Sequence, residues 1–293
     1  MADEKEKGKK VDVINAEKLR SKYLRDEMMP TIFCTGCGIG NILDYTLWAI
    51  EKEGLDMDKT VFTSGIGCSS RVPGYVDVDA LHTTHGRALA FSTGVKLTNP
   101  DLNVIVFTGD GDCMGIGGNH FIHACRRNID MTVIAVNNYI YGMTGGQVAP
   151  TTPEGKYGST APYGNREPPF DMSEMAIASG ATYVARWTVN KPAQPINSIR
   201  EGLQNEGMSF IEMLSPCTTA YARQNREVGD IENYWKWYED RTILAEDYDM
   251  IMKHGSEEEK KEVEEKLRIG VLHHEEKEPL NKRLKKLIEE VQI

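Results

Sequence analysis

Two short apolar runs separated by one helix length constrain the fold of this chain more than any other feature. NVIVFTGDG, which begins at Asn103, and MTVIAVNN, which begins at Met131, each have the pattern of a buried strand that ends in a turn of Gly or Asn. The segment between them, NHFIHACRRN, is long enough for a crossover helix. Strand, helix and strand at this spacing predict parallel neighbours joined by a right-handed connection.

The same pattern recurs on either side of this unit. TVFTSGIG, from Thr60, and MSFIEMLSP, from Met208, also have the pattern of short buried strands that run into turns. Together the four runs predict an α/β fold, in which helices cover both faces of a parallel sheet.

Composition divides the chain into three parts. The opening run MADEKEKGKK is dense in lysine and glutamate, so residues 1–30 are predicted to form a solvated N-terminal arm. Residues 31–224 carry glycine-rich turns between the apolar runs and form the predicted functional domain. Residues 225–293 contain charged stretches with few glycines, such as EEEKKEVEEKLRIG, and are predicted to form a helical C-terminal extension.

Length and charge exclude several classes of protein. The 293 residues can bury a substantial core, and the formal net charge of −10 argues against general nucleic-acid binding, which relies on a basic surface. The six cysteines are spaced too unevenly for a secreted disulfide scaffold. No apolar run approaches the roughly 20 residues that span a bilayer, and no leader is recognisable. We therefore expect a cytoplasmic protein with neither nucleic-acid nor membrane partners.

Acidic and amide side chains follow two successive predicted strands. Asp110 comes at the end of the first, and Asn137 and Asn138 end the next. In an open parallel sheet ligands bind beyond the carboxyl ends of the strands, where these oxygens can share one Mg²⁺ while glycine N–H groups approach phosphates. A dinucleotide motif would need glycine in place of Met114, and no stretch has the Gly-Lys-Ser/Thr ending of a P-loop. A tight turn in which Asp110 caps a helix remains the alternative.

Four cysteines lie in turns at the ends of apolar runs, which is the usual setting of metal-binding thiolates. Spacing alone does not separate a zinc site from an iron–sulfur cluster. The other two cysteines differ in setting. Cys113 follows the acidic loop and Cys125 lies in the predicted crossover helix, and a buried thiol is expected at each position. The four turn cysteines are Cys34, Cys37, Cys68 and Cys217.

These motifs resemble a known family. GDG followed by NN resembles the diphosphate-binding motif of thiamine diphosphate enzymes. Over residues 31–220 the chain resembles the beta subunit of 2-oxoacid:ferredoxin oxidoreductases, and it has the motifs of that family in the same order. They are CTGCGIGN, GIGCSSRVPGY, LHTTHGRALAFSTGVK, GDGD, NNYIYGMTGGQ and SPC.

The resemblance implies two adjacent cofactor sites and the thiamine diphosphate-binding fold. It implies Mg²⁺ held by Asp110, Asn138 and the backbone carbonyl of Ile140. It implies a 4Fe–4S cluster held by the four turn cysteines, with zinc as the alternative, and it makes His85 the candidate catalytic residue. The residues implied to bind thiamine diphosphate are Ile66, Gly67, Cys68, Ser69, His85, Gly109, Gly111, Asp112, Gly142 and Met143.

The resemblance also implies partners and a reaction. Thiamine activation needs a glutamate, and residues 31–220 offer no clear candidate, so an alpha subunit is expected to supply it, in an (αβ)₂ heterotetramer. The implied reaction decarboxylates a 2-oxoacid, passes electrons through the cluster to ferredoxin and forms a coenzyme A thioester. The loop YGMTGGQ, with Gly145 where many relatives have lysine, favours 2-oxoglutarate over pyruvate or branched-chain 2-oxoacids.

Two other functions remain open at this point. The first is a thiamine diphosphate lyase or transferase without a cluster, which would leave the four turn cysteines unexplained. The second is a non-catalytic scaffold subunit stapled by zinc, in which the acidic loop is only a turn.

Overall fold

The computed structural model describes residues 16–226 and 231–291, and the following elements are those of these two ranges. The α-helices are α1 (Ala16–Tyr23), α2 (Ile39–Glu53), α3 (Ala88–Thr98), α4 (Gly118–Arg126), α5 (Met172–Ser179), α6 (Ala193–Gln204), α7 (Tyr221–Gln224), α8 (Ile231–Arg241), α9 (Ala245–His254), α10 (Glu257–Val263) and α11 (Leu280–Val291). Short 3₁₀-helices span Asp26–Met28, Met57–Lys59 and Ser69–Tyr75, and a π-helical turn spans Gly111–Ile116. The strands are β1 (Thr60–Ser64), β2 (Asp79–His82), β3 (Asn103–Gly109), β4 (Met131–Asn137), β5 (Ile140–Tyr141), β6 (Gln147–Val148), β7 (Tyr183–Thr188), β8 (Met208–Leu214), β9 (Thr242–Leu244) and β10 (Leu267–His274).

The main sheet confirms the predicted parallel arrangement. Its strand order is β2-β1-β3-β4-β8-β7-β10-β9. All neighbouring pairs run parallel except β7 and β10. The predicted strand, crossover helix and strand are β3, α4 and β4, and β8 lies on the other side of β4.

Helices cover both faces of this sheet, as the sequence pattern predicts. On one face α2 and α6 pack together and bury Ile42, Leu47 and Ile199 against the strands. On the other face α3, α4 and α5 bury a separate apolar cluster that includes Phe121 and Met172. The central strands β4 and β8 are buried along their whole length because they are covered from both sides, which is why they are continuous apolar runs.

The C-terminal extension is mainly helical, as predicted, but it also extends the sheet. Strand β10 pairs antiparallel with β7, and β9 pairs with β10. Helix α8 contributes Tyr234, Trp237 and Tyr238 to the core. The sequence pattern does not predict β10, because its sequence, LRIGVLHH, follows a charged run with helical character. Across residues 16–226 and 231–291, no helix has the length and apolar character that a membrane span requires.

The predicted N-terminal arm falls partly outside the described residues, since residues 1–15 are not among them. From Ala16 onward the arm forms α1, which buries Leu19 and Tyr23 in the core cluster that also contains α2 residues. The division of the chain at residues 30 and 224 stays a prediction.

A buried ion pair joins β7 to β8 beneath the end of β4. Arg186 Nε lies 2.8 Å from Glu212 Oε2, and both side chains are 2% exposed. The amide of Asn137 donates to Glu212 Oε1 at 2.7 Å, and the hydroxyl of Ser173 donates to Oε2 at 2.6 Å. Glu212 therefore holds the last residue of β4 in place.

Removing one member of this pair should be strongly destabilising. Glu212→Ala leaves the Arg186 guanidinium with less compensation for its lost hydration, so we expect the free energy of unfolding to fall by about 3–5 kcal/mol. Urea denaturation measures this change. Glu257→Ala, which breaks an exposed pair with Lys260, should leave stability nearly unchanged. Equal losses in the free energy of unfolding for the two variants would contradict the stabilising role given to the buried Arg186–Glu212 pair.

Candidate cofactor site and cysteine cavity

The acidic loop and the paired asparagines meet at one edge of the sheet. Strands β3 and β4 pair in parallel up to Gly109 and Val136, so the residues that follow them emerge side by side. The Asp110 carboxylate accepts a hydrogen bond from the Gly111 N–H at 2.8 Å, and the backbones of Tyr139 and Asn138 lie near enough to lower its pKa. Asp110 and Asn138, which the sequence analysis paired, are therefore neighbours.

Asp110 is a buried carboxylate. Its side chain accepts a hydrogen bond from Thr151 Oγ1 at 2.7 Å, and the residue is 3% exposed. Burial raises the pKa of this carboxyl to about 6, although the hydrogen bonds from Thr151 and Gly111 lower the pKa in part. A bound divalent cation would compensate the carboxylate for its lost hydration. The Asp110 carboxylate therefore has the electrostatic character of a metal ligand.

A strained residue shapes the turn after β4. Tyr139 is buried and has a φ of 63°, in the left-handed region that side chains other than glycine rarely adopt. Its carbonyl accepts from Thr152 Oγ1 at 2.6 Å, and its N–H donates to Asn137 Oδ1 at 3.3 Å. These contacts hold the backbone so that Asn138 and Ile140 both line the space beside Asp110.

A cavity of about 150 Å³ lies at this sheet edge. Every residue that the sequence analysis expected to bind thiamine diphosphate or Mg²⁺ lines it. Three further residues in its wall, Val136, Tyr141 and Thr144, are not among the predicted ones, although the last two flank Gly142 and Met143 within the motif NNYIYGMTGGQ. The predicted residues in its wall are Ile66, Gly67, Cys68, Ser69, His85, Gly109, Asp110, Gly111, Asp112, Asn138, Ile140, Gly142 and Met143.

The glycine at Gly111 is required by packing inside the protein. A Cβ there would lie 2.2 Å from Cε1 of Tyr141, whose hydroxyl donates to the Gly111 carbonyl at 3.0 Å. The absence of a side chain therefore lets the Tyr141 ring close over the acidic loop. This contact joins the loop after β3 to the turn after β4, and both then line the same cavity.

The four turn cysteines line a second cavity of about 140 Å³. Burial raises the pKa of the Cys37 thiol to about 12, and the nearby thiolates of Cys217, Cys68 and Cys34 also raise it. A thiol with so high a pKa ionises only when a metal replaces its proton. The cavity therefore suits a metal group held by several sulfurs.

The structure leaves both kinds of metal group open at these sulfurs. The four thiols surround one shared space. Zinc and iron–sulfur clusters both take thiolate ligands. Among the described residues, no group of three or more His, Cys, Asp or Glu side chains stands ready to hold a metal ion.

The two cavities share a wall. Cys68, Asn138, Gly142 and Met143 line both. A Cβ at Gly142 would lie 3.4 Å from the Cys217 sulfur and 3.9 Å from the Cys68 sulfur. Within this shared wall, a residue without a side chain thus lies beside two of the thiols.

The other two cysteines lie elsewhere, as the sequence analysis expected. Cys113 and Cys125 are buried in the apolar cluster beneath α4, and neither lines the cysteine cavity. Burial raises the pKa of the Cys113 thiol well above its usual value and also raises the pKa of Cys125.

Comparisons with known proteins agree with this geometry. Residues 65–213 match the family described as thiamine pyrophosphate enzyme, C-terminal TPP binding domain. The chain is 60% identical over 211 residues to 2-oxoglutarate synthase subunit KorB of Methanothermobacter thermautotrophicus, covering 72% of this chain and 74% of that protein. It is 38% identical over 244 residues to a 2-oxoacid:ferredoxin oxidoreductase subunit beta from Sulfolobus sp, covering 82% and 75%.

A solved structure extends the likeness to nearly the whole chain. The 2-oxoglutarate:ferredoxin oxidoreductase from Magnetococcus marinus, solved with 2-oxoglutarate, coenzyme A and succinyl-CoA bound, superimposes with a TM-score of 0.81 at 33% identity. The match covers 93% of this chain and 90% of that one. The sheet, the acidic loop and the turn cysteines thus occur in a chain whose relatives are subunits of one class of oxidoreductase, and this chain belongs to the family of 2-oxoacid:ferredoxin oxidoreductase beta subunits.

Proposed function

We propose that this chain binds the magnesium–diphosphate end of thiamine diphosphate and carries a 4Fe–4S cluster in an enzyme that converts 2-oxoglutarate and coenzyme A to succinyl-CoA and CO₂. The observation that carries the proposal is the wall shared by the two cavities, in which Cys68 lines both spaces and Gly142 lies beside the sulfurs of Cys68 and Cys217. Electrons released at one site would have a short path to the other.

The residues present suit the magnesium diphosphate. Asp110 would supply the carboxylate ligand, Asn138 its side-chain oxygen and Ile140 its backbone carbonyl, while water and phosphate would complete an octahedral shell. Asn138 Oδ1 already accepts from the Ile140 N–H at 3.3 Å, which holds the two ligand residues in register. Thr151 fixes the second Asp110 oxygen, so the carboxylate is oriented before the ion arrives.

The chemistry follows from the placement of these groups. Thiamine diphosphate, when bound, supplies a carbon nucleophile and accepts the electron pair left by the departing CO₂. The chain would hold the diphosphate end, and it places the apolar side chains of Ile66 and Met143 and the ring of His85 in the wall of the same cavity. The four thiolates would set the potential of the cluster through their burial and hydrogen bonds.

The size and rim of the cavity support a partner subunit. At about 150 Å³ the space is smaller than the roughly 300 Å³ at which sites for whole small molecules begin, so this chain alone would enclose only part of the cofactor. Two apolar residues at the rim, Ile66 and Met143, are 39% and 48% exposed. An alpha subunit that brings the activating glutamate would cover them, and we propose an (αβ)₂ heterotetramer in the cytoplasm that reduces ferredoxin.

The choice of 2-oxoglutarate rests on the relatives and on one loop. Gly145, in YGMTGGQ, has a φ of 119°, a conformation in which a lysine side chain would be strained. The loop therefore adds no charge near Met143 and Thr144, which line the cavity. Pyruvate and branched-chain 2-oxoacids are the competing substrates.

Activity of the assembled complex tests this proposal. We expect the chain co-expressed with an alpha subunit to reduce a low-potential viologen with 2-oxoglutarate and coenzyme A, and we expect neither subunit to do so alone. A panel of 2-oxoglutarate, pyruvate and 2-oxoisovalerate should show the highest kcat/KM for 2-oxoglutarate. Turnover by this chain alone would contradict the need for an alpha subunit. A higher kcat/KM for another 2-oxoacid would contradict the choice of 2-oxoglutarate.

Metal content separates the remaining alternatives. Anaerobically purified complex should contain iron and acid-labile sulfide. A lyase or transferase without a cluster would contain neither, and a zinc-stapled scaffold would contain zinc without turnover.

A further inference from the structure

Asp112, the second carboxylate of the acidic loop, has its oxygens committed inside the protein. Its Oδ1 accepts from the Gly86 N–H at 2.7 Å, from the Ile66 N–H at 3.1 Å and contacts His85 Nδ1 at 2.6 Å. Its Oδ2 accepts from Thr108 Oγ1 at 2.8 Å. The carboxylate, with its side chain 2% exposed, therefore ties the loop before Cys68 and the loop around His85 to the end of β3.

Two glycines allow this close approach. A Cβ at Gly65 would lie 2.1 Å from Asp112 Oδ2, so only glycine fits beside the carboxylate. Gly86, which donates to Oδ1, has a φ of 70°, and a Cβ there would lie 2.4 Å from a methyl carbon of Ile116. The loops that contain Gly65 and Gly86 therefore pack closely on Asp112, and their backbone N–H groups fix the position of its carboxylate.

The ring of His85 is held by this carboxylate at one nitrogen. Its side chain is 40% exposed and lines the cavity that also contains Asp110 and Asn138. The ring lies edge-on to Tyr141, with 6.1 Å between centroids. Since Nδ1 is engaged with Asp112, the second nitrogen, Nε2, is the one available to a ligand in the cavity.

We infer that Asp112 is a positioning residue that keeps the proton of His85 on Nδ1, so that Nε2 exchanges a proton with the oxygen of the 2-oxo group of the substrate. This inference rests on the proposed function. It adds the residue that orients His85 and the atom on which His85 acts.

One proton and two electrons balance the step, which starts from a ring protonated on both nitrogens. As the 2-oxo carbon bonds to the carbon nucleophile, the C=O π pair moves to oxygen, and that oxygen takes the proton from Nε2 to become a hydroxyl. After CO₂ has left, two electrons pass singly to the ferredoxin, and the hydroxyl proton returns to Nε2 as the C=O bond forms again. The thiol of coenzyme A then takes the acyl group: the new S–C bond replaces the bond to the carbon nucleophile, and that carbon takes the thiol proton. The negative charge of Asp112 stabilises the ring while it carries the extra proton.

Asp112→Asn tests the role of this charge in the assembled complex. The amide oxygen can still accept from Ile66, Gly86 and His85, and the NH₂ group can donate to Thr108, so the two backbone N–H groups fix its orientation. We expect kcat with 2-oxoglutarate to fall about tenfold or more, with KM and the contents of thiamine diphosphate and iron unchanged.

Asp112→Ala removes the contact to Nδ1 as well. We expect a larger fall in kcat, of about a hundredfold or more, and a crystal structure of the complex should show the His85 ring turned away from its wild-type position, whereas in Asp112→Asn the ring should stay. His82→Asn is the matched control. His82 lies three residues earlier on β2 with its ring against Ser64, so this variant should keep wild-type kcat.

Two results would overturn the inference. The first is wild-type kcat in Asp112→Asn together with an unmoved His85 ring in Asp112→Ala. The second is loss of thiamine diphosphate from Asp112→Asn, which would give Asp112 a purely structural role at the cofactor. Failure of the wild-type complex to oxidise any 2-oxoacid would count against the proposed function instead.

Discussion

Asp110→Asn is expected to weaken binding of magnesium thiamine diphosphate by at least about a hundredfold while the chain stays folded. The amide oxygen can still accept from the Gly111 N–H, and the NH₂ group can donate to Thr151 Oγ1, which donates to the second carboxylate oxygen in the wild type. The substitution removes the only proposed carboxylate ligand of the ion. Titration of the cofactor-free complex with thiamine diphosphate and Mg²⁺, followed by calorimetry, measures the change. Asp101→Asn, on the surface in the turn before β3, is the matched control and should bind normally.

Stability gives a second reading of the same variant. The folded-state pKa of Asp110, about 6, lies above the usual value of 3.8, so above pH 6 the ionised carboxylate destabilises the cofactor-free fold. An amide at this position avoids that cost. The cofactor-free variant should therefore unfold at the same temperature as wild type or higher at pH 7, and the difference should shrink as the pH falls towards 4. A clear loss of stability, or undiminished cofactor binding, would contradict the metal assignment.

Cys217→Ala is expected to abolish the cluster and reduce ferredoxin-linked activity to background. Cys217 is one of the four thiols around the second cavity, and a Cβ added at Gly142 would lie 3.4 Å from its sulfur. Removing one of four ligands exposes an iron and makes the cluster labile. Iron and sulfide analysis with the visible absorption spectrum measures the loss, and thiamine diphosphate content should be largely retained.

Cys125→Ala supplies the comparison for this result. Cys125 is fully buried in α4, away from the cavity, so its removal costs about 1 kcal/mol of packing and leaves the cluster spectrum intact. If Cys125→Ala lost iron while Cys217→Ala kept it, the four ligands would have been assigned wrongly.

The sequence alone predicts the parts of this structure that depend on short-range pattern. Strands β3 and β4 are apolar runs of strand length, and their parallel pairing follows from the helix between them. Because parallel strands end at the same sheet edge, the pairing of Asp110 with Asn138 also follows. The turn cysteines could be named as a set, although their convergence on one cavity could not be derived from spacing.

Other features depend on contacts between residues that are distant along the chain. Thr151 reaches back 41 residues to fix Asp110, and no motif marks it. Asp112 lies in the same acidic motif as Asp110, so the sequence pattern does not distinguish the two. In the structure its carboxylate instead accepts hydrogen bonds from the N–H groups of Ile66 and Gly86, which lie in two other loops. Strand β10 joins β7 only because the chain returns to the sheet edge after the charged helices.

The wall shared by the two cavities is the basis of the proposed electron transfer, and one measurement tests it most directly. The complex, purified anaerobically, is mixed with 2-oxoglutarate and frozen for electron paramagnetic resonance, alongside the Cys217→Ala and Asp110→Asn complexes. We predict that substrate produces the signal of a reduced 4Fe–4S cluster in the wild type, and that the signal is absent when either site is altered. The same signal in both variants, or no iron signal in an active wild-type complex, would contradict the proposed arrangement.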